Sequence, residues 1–360
     1  MEDSQKKKKY SWIWTLLFIL MNVGVLVWTG LSELERKKTS GVGIRDIQIR
    51  WPFLVLTALC FLTTVLAETG KYYSLIKRLT EKKRPGTALA VTIYGRYYDN
   101  ITPSGAGGQP FQIHYLKKKG LPDGASLAIP VYAFLLQQLT FVFSAGLVFL
   151  FLSHYFDVPA IRVTAHIGLF FYSLVPLGII FSALFPRAMW KVIMLFLRGL
   201  SALHLVKDPE AKGDRIIRQL TEYSQAINYI NKHRRLSLEM IFLSLLYHIA
   251  RTSLPYFILA AFGAQTDYLT TTVATFYIYA AISIIPTPGG SGAAEASFYL
   301  VFSGLPEAGL VFWAMLTWRF FSDYIFIGSG ILLTFFDYLH DRILARRAAR
   351  REAQEKKEKK

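Results

Sequence analysis

Long apolar runs constrain this chain more than any other feature. Stretches at about 12–31, 51–69, 127–152, 163–185, 236–262 and 308–336 carry few or no charges. Each is close to the roughly 20 residues an α-helix needs to cross a bilayer. Lipid offers no water to backbone N–H and C=O groups, so such runs must close their hydrogen bonds internally, as helices. The expected class is an all-α polytopic membrane protein with about six full transmembrane helices. Composition agrees, at 53% hydrophobic and 15% aromatic residues. The first run follows Lys6 to Lys9 and ends in no small-residue cleavage site, so it reads as an uncleaved signal anchor or a first span.

The formal net charge of +17 collects at the termini and in short loops, where it sets orientation and attracts anionic lipid. Lys71, Lys77, Arg78, Lys82, Lys83 and Arg84 follow the second run, Lys117 to Lys119 follow a shorter segment, and Arg342, Arg346, Arg347, Arg350 and Arg351 follow the last. All three clusters are expected on the cytoplasmic side, with both termini. Asp157 and Glu307 are expected outside. No soluble basic face is present, so nucleic acid is not an expected partner. Cys60 is the single cysteine, which excludes a disulfide within the chain, and the seven histidines lack ligand spacing. No metal or cofactor is expected.

A second feature appears twice. Thr102-Pro103-Ser104-Gly105-Ala106-Gly107 and Thr287-Pro288-Gly289-Gly290-Ser291-Gly292 share the pattern Thr-Pro-x-Gly-x-Gly. Each follows an apolar stretch and leads into a segment too short to span. Proline and paired glycines stop a helix, and unwound backbone at membrane depth survives only where protein buries it or where it lines a cavity. The flanking charges bring the hairpin at about 87–116 in from the cytoplasm and that at about 268–304 in from outside. Two oppositely oriented re-entrant hairpins define an inverted repeat whose breaks meet near the midplane. The expected divisions are an N-terminal half (1–186), cytoplasmic or interfacial amphipathic helices (187–235), a C-terminal half (236–338) and a basic tail (339–360). Within the linker, Trp190 onwards suits a helix in the interface, and Ile216, Leu220, Tyr223, Ile227 and Ile230 mark an amphipathic face.

Charges inside spans carry the functional expectation, because each costs at least about 2.5–3.5 kcal/mol at the bilayer centre and needs a partner or a wet cavity. Arg96 and Asp99 precede the first break, Glu295 follows the second, Arg251 sits mid-span with His248 nearby, and Arg319 and Asp323 share a face at i,i+4. Glu68, Gln137 and Gln138 add further polar groups. One reading is mutual neutralisation, Arg319 with Asp323 and Arg251 with Glu295. The other is an anion site. Arg96, Arg251 and Arg319 would grip a phosphate in planar forks, while Gly105, Gly107, Gln109, Gly290 and Gly292 line the breaks, whose backbone N–H groups face the headgroup. An anionic membrane phospholipid is the expected ligand.

The segment Tyr97 to Pro110, the following Lys117 to Gly120, and Pro286 to Glu295 together resemble the flippase-like membrane family, the transmembrane part of bacterial lysylphosphatidylglycerol synthase (multiple peptide resistance factor). The resemblance covers nearly the whole chain. It implies movement of phospholipids between leaflets, aminoacylated phosphatidylglycerol or polyprenyl-phosphate lipids among them. It also implies a bacterial or archaeal cell membrane, resistance to cationic peptides, and a second copy or a lipid synthase as protein partner. The synthase's aminoacyltransferase domain has no counterpart, since about 20 residues after the last run are too few for a domain, so lysyl transfer is not expected. Two alternatives stand: a lipid-modifying membrane enzyme with Glu295 and Asp323 as acid and base, and a small-solute secondary transporter.

Overall fold

The computed structural model describes residues 49–105, 107–202, 208–214, 216–218, 233–305, 308–339 and 342. Among these the secondary structure is helical throughout, without a strand. The helices that position the site are, in order, α1 (Trp51–Thr80), α2 (Pro85–Ile101), α3 (Gly108–Lys118), α4 (Asp123–Phe151), α5 (Pro159–Leu184), α6 (Pro186–Ala202), α7 (Arg234–Ala261), α8 (Tyr268–Ile282), α9 (Ala293–Phe302) and α10, which begins as Ala308–Arg319. The last continues through a π-helical turn at Phe320–Tyr324, and its apolar span is Leu310–Leu339.

Among the described residues five helices are long and apolar enough to cross a membrane: α1, α4, α5, α7 and α10. They match five of the six expected runs. The run at 12–31, most of the amphipathic face after Ile216, Glu307 and nearly all of the basic tail lie outside the described residues. Span α1 is longer than its apolar run, continuing to Thr80. Its surface explains the solvent it was built for: Val55, Leu59, Leu62 and Leu66 are exposed, as are Leu150, Phe170 and Phe242 on other spans, an outward apolar coat that suits lipid. Prolines inside α4, α5 and α7 (Pro130, Pro176, Pro255) are tolerated where neighbouring helices satisfy the freed carbonyls. Helix α6 buries Met194 and Leu197 while Val192, Leu195 and Phe196 are exposed.

Two cores organise the packing. One joins Leu75 and Ile76 of α1, Val91 and Tyr94 of α2, Leu116 of α3, Ile129 and Tyr132 of α4, and Met240 of α7. The other joins Phe149 of α4, Ala165 of α5, Ile258 of α7, Tyr277 of α8, Phe298 of α9 and Trp318 of α10. Each core thus contains one short-helix pair, and α4 and α7 run through both. Packing is tight where α5 meets α8: a Cβ on Gly168 would stand 2.0 Å from the Ala280 carbonyl oxygen, so only glycine lets these helices approach. Asp267 caps α8 by accepting from Thr270 N at 2.9 Å, and this bond holds its carboxyl below the usual range.

Helices α1 and α7 pack along their length. Arg50 N, just ahead of α1, donates to Ala261 O at the end of α7, and Ser74 near the end of α1 bonds Glu239 near the start of α7. The pair is therefore antiparallel. Each of these spans precedes a broken short-helix pair and then a further span, so the two units begin in opposite directions, as an inverted repeat requires.

Candidate functional site

The two breaks are built alike. Thr102 and Thr287 are both extended, at φ −110°, ψ 147° and φ −96°, ψ 153°. A single tight turn follows each proline, and Gly105 and Gly290 both take the left-handed region at φ 62° and 66°, which glycine enters without steric cost. Thereafter the copies diverge: Gly107 is right-handed at φ −85°, Gly292 left-handed at φ 84°. The breaks also touch each other, since a Cβ on Gly289 would lie 3.3 Å from the Asn100 carbonyl oxygen.

Five glycine backbone donors of the breaks are already taken. Gly108 N donates to Asp99 Oδ1 at 2.9 Å, Gly107 N to Thr102 Oγ1 at 2.8 Å, and Gly292 N to Glu295 Oε2 at 2.6 Å. Gly105 N and Gly290 N close their own turns on Thr102 O and Thr287 O. The expectation that these N–H groups face a ligand therefore gives way to another role, in which Asp99 and Glu295 cap the half-helices α3 and α9. Gln109 is half-buried in the first turn of α3. A Cβ on Gly108 would meet Asp99 Oδ1 at 2.3 Å and Gly95 O at 2.6 Å. Gly108→Ala is accordingly expected to expel Asp99 and lower the melting temperature of the purified protein. An unchanged melting curve would show that the cap is dispensable.

The arginines have three different fates. Arg319, 4% exposed, spends four of its five N–H donors: Nε donates to Glu295 at 2.7 Å, Nη1 to Asp323 at 2.6 Å and to Gly289 O at 3.2 Å, and Nη2 to Ser291 Oγ at 3.3 Å. It ties the second break to α10 across the π-helical turn. Arg96 pairs with Glu68 of α1 at 2.7 Å and lies 4.9 Å from the Tyr247 ring centroid. Arg251 has no carboxylate within 4.0 Å among the described residues; it bonds Tyr247 Oη at 3.1 Å and stacks 4.2 Å from the Tyr279 ring centroid. The expected Arg251–Glu295 pair is not formed, because Glu295 spends one oxygen on Arg319 and the other on Gly292.

Arg96 and Arg251 line a small, partly open cavity together with Thr64, Asn100, Tyr247 and Asp323. Leu254, Phe321 and Phe326 give it an apolar side. It sits where α1, α2, α7 and α10 meet beside the two breaks. With Glu68 neutralising Arg96, and Glu295 and Asp323 both engaged by Arg319, Arg251 is the cation here without an acidic partner among the described residues.

Sequence reasoning identifies Glu68 as an intramembrane charge but not its partner, and misses three further participants. Tyr247 and Tyr279 carry no charge or motif to mark them. Lys71, read as the first residue of a cytoplasmic basic cluster, is instead 1% exposed in the interior, donating to Gln137 Oε1. The signal available was its distance of three residues from Glu68, one helical turn within a continuing helix.

A family model described as the lysylphosphatidylglycerol synthase TM region matches residues 12–330. A UPF0104 membrane protein of Archaeoglobus fulgidus is 26% identical over 254 residues, covering 67% of this chain and 74% of that protein. No solved structure matches.

Proposed function

Because the chain belongs to the lysylphosphatidylglycerol synthase transmembrane family, we propose that it translocates a lipid with an anionic headgroup between membrane leaflets. The observation that carries this reading is Arg251, a cation without an acidic partner among the described residues, facing a polar cavity that Arg96 also lines. A guanidinium left without a carboxylate inside a membrane is costly unless an anion or water accompanies it, and its planar fork fits two phosphate oxygens. The phosphate of an anionic or aminoacylated phospholipid, or of a polyprenyl-phosphate lipid, supplies that anion while its tails remain in hydrocarbon. Antiparallel α1 and α7, each leading into a break, support rocking of one half against the other as the transport step. Both termini are proposed to be cytoplasmic, a reading the positive clusters support, and a second copy or a lipid synthase is the proposed protein partner.

Chemistry on the lipid is less favoured by the geometry. Glu295 and Asp323, the pair suited to acid and base, are both held by Arg319, which occupies an oxygen of each. The test is direct. Full-length protein in liposomes should speed bleaching of an inner-leaflet fluorescent phosphatidylglycerol by an external quencher at least about tenfold over protein-free vesicles, a difference of roughly 1.4 kcal/mol in barrier. Exchange no faster than in empty vesicles, across phosphatidylglycerol, its lysyl ester and a polyprenyl phosphate, sinks the proposal.

A further inference from the structure

We infer that Lys71 is a proton-carrying site that couples occupation of the cavity by an anion to uptake of a proton. The inference rests on the translocase reading above and adds its energy source. Lys71 lies inside a spanning helix, 1% exposed, with no carboxylate within 4.0 Å among the described residues. Its Nζ donates to Gln137 Oε1 of α4 and sits 5.5 Å from the Tyr247 ring centroid of α7. Behind Gln137 stands His248 of α7, whose Nε2 lies 3.2 Å from Gln137 Nε2 and 3.0 Å from Gln137 O. From α2 comes Arg96, over the same Tyr247 ring, and Arg251 of α7 bonds that tyrosine's hydroxyl. On α1 itself, Glu68 is one turn away.

Arg96 and Lys71 therefore compete for one carboxylate. Here Glu68 is bonded to Arg96 at 2.7 Å, and Lys71 makes do with a neutral amide. An anion entering the cavity draws Arg96, which lines it, and leaves Glu68 facing Lys71. In the proposed cycle Lys71 is an unprotonated amine while Arg96 holds Glu68; once it faces Glu68 its lone pair takes up one proton from the aqueous phase, and the resulting ammonium neutralises Glu68. When the anion leaves, Arg96 returns to Glu68 and the ammonium gives its proton back to water. Anion and proton each raise the other's affinity by the same factor, as linkage demands. A singly charged headgroup moving with one proton carries no net charge, so the step follows a pH gradient and ignores the membrane potential.

The experiment uses the full chain in liposomes with fluorescent phosphatidylglycerol, the potential clamped to zero by potassium and valinomycin, and a pH step of one unit across the membrane. The expected result is a lipid distribution skewed toward the alkaline leaflet, approaching about tenfold at one proton per lipid. Exchange that proceeds but stays symmetric overturns the coupling and leaves the translocase reading standing; no exchange at all overturns both. A binding measurement removes dependence on transport. Titrating the detergent-solubilised protein with a soluble short-chain phosphatidylglycerol, in buffers of different ionisation enthalpy, should show uptake of about one proton per ligand. Lys71→Met, which cannot hold the proton, and Lys71→Arg, which cannot release it, should both abolish that uptake. Proton uptake that survives in either variant assigns the coupling to another group and overturns the inference.

Discussion

Arg319→Ala is expected to cost about 3–5 kcal/mol of stability, the range for removing one partner from a buried ion pair. The side chain is 5% exposed and holds two carboxylates of comparable burial, Glu295 at 2.7 Å and Asp323 at 2.6 Å. Its loss strands both, together with the Gly289 carbonyl and Ser291 hydroxyl that it also binds. The effect should appear as a large drop in thermal midpoint for protein in detergent or nanodiscs. Neutralising Arg319 and Asp323 together (Arg319→Gln with Asp323→Asn) should not repair it, because Glu295 keeps its charge. Adding Glu295→Gln should recover part of the loss, since an all-neutral triad has no stranded ion. A stable single variant, or full repair by the double variant, contradicts the three-membered clamp seen here.

That clamp marks where the sequence stopped being informative. Five spans were legible because lipid leaves an apolar run of that length one way to satisfy its backbone. Both breaks were legible because Thr-Pro-x-Gly-x-Gly cannot continue a helix, and the shared left-handed Gly105 and Gly290 follow from the same residues. Partner choice was not legible. Hydropathy along one segment places a charge at a depth but says nothing about the angle at which another helix presents its carboxylate. So Glu295 was matched with Arg251, when its first-turn position on α9 aims it at Gly292 and at Arg319 of the neighbouring span. Lys71 failed for a related reason. Placed just before a basic cluster, it shares that cluster's composition, yet α1 does not stop at the end of its apolar run. Its continuation to Thr80 carries Lys71 into contact with α4 and α7, where packing against Gln137 and Tyr247 sets its environment.

Arg251→Ala is the converse case, with the larger effect on activity and the smaller on stability. Arg251 holds no carboxylate among the described residues, so its removal strands no charge. What the fold loses is one hydrogen bond to Tyr247 at 3.1 Å and stacking 4.2 Å from the Tyr279 ring centroid, together about 1–3 kcal/mol. The anion loses more, because truncating a desolvated charged partner typically costs about 2–5 kcal/mol. Lipid exchange should therefore lose nearly all of its protein-dependent part, falling to near the rate of protein-free vesicles. Arg251→Lys should retain a fraction: it keeps the charge but gives up the planar fork and the stacked face. Arg319→Ala also lowers exchange, through unfolding, so the two arginines separate only when both readouts are taken. Exchange at the wild-type rate by a well-folded Arg251→Ala removes Arg251 from the lipid's path. Arg96, paired with Glu68, would then be the remaining candidate for the phosphate.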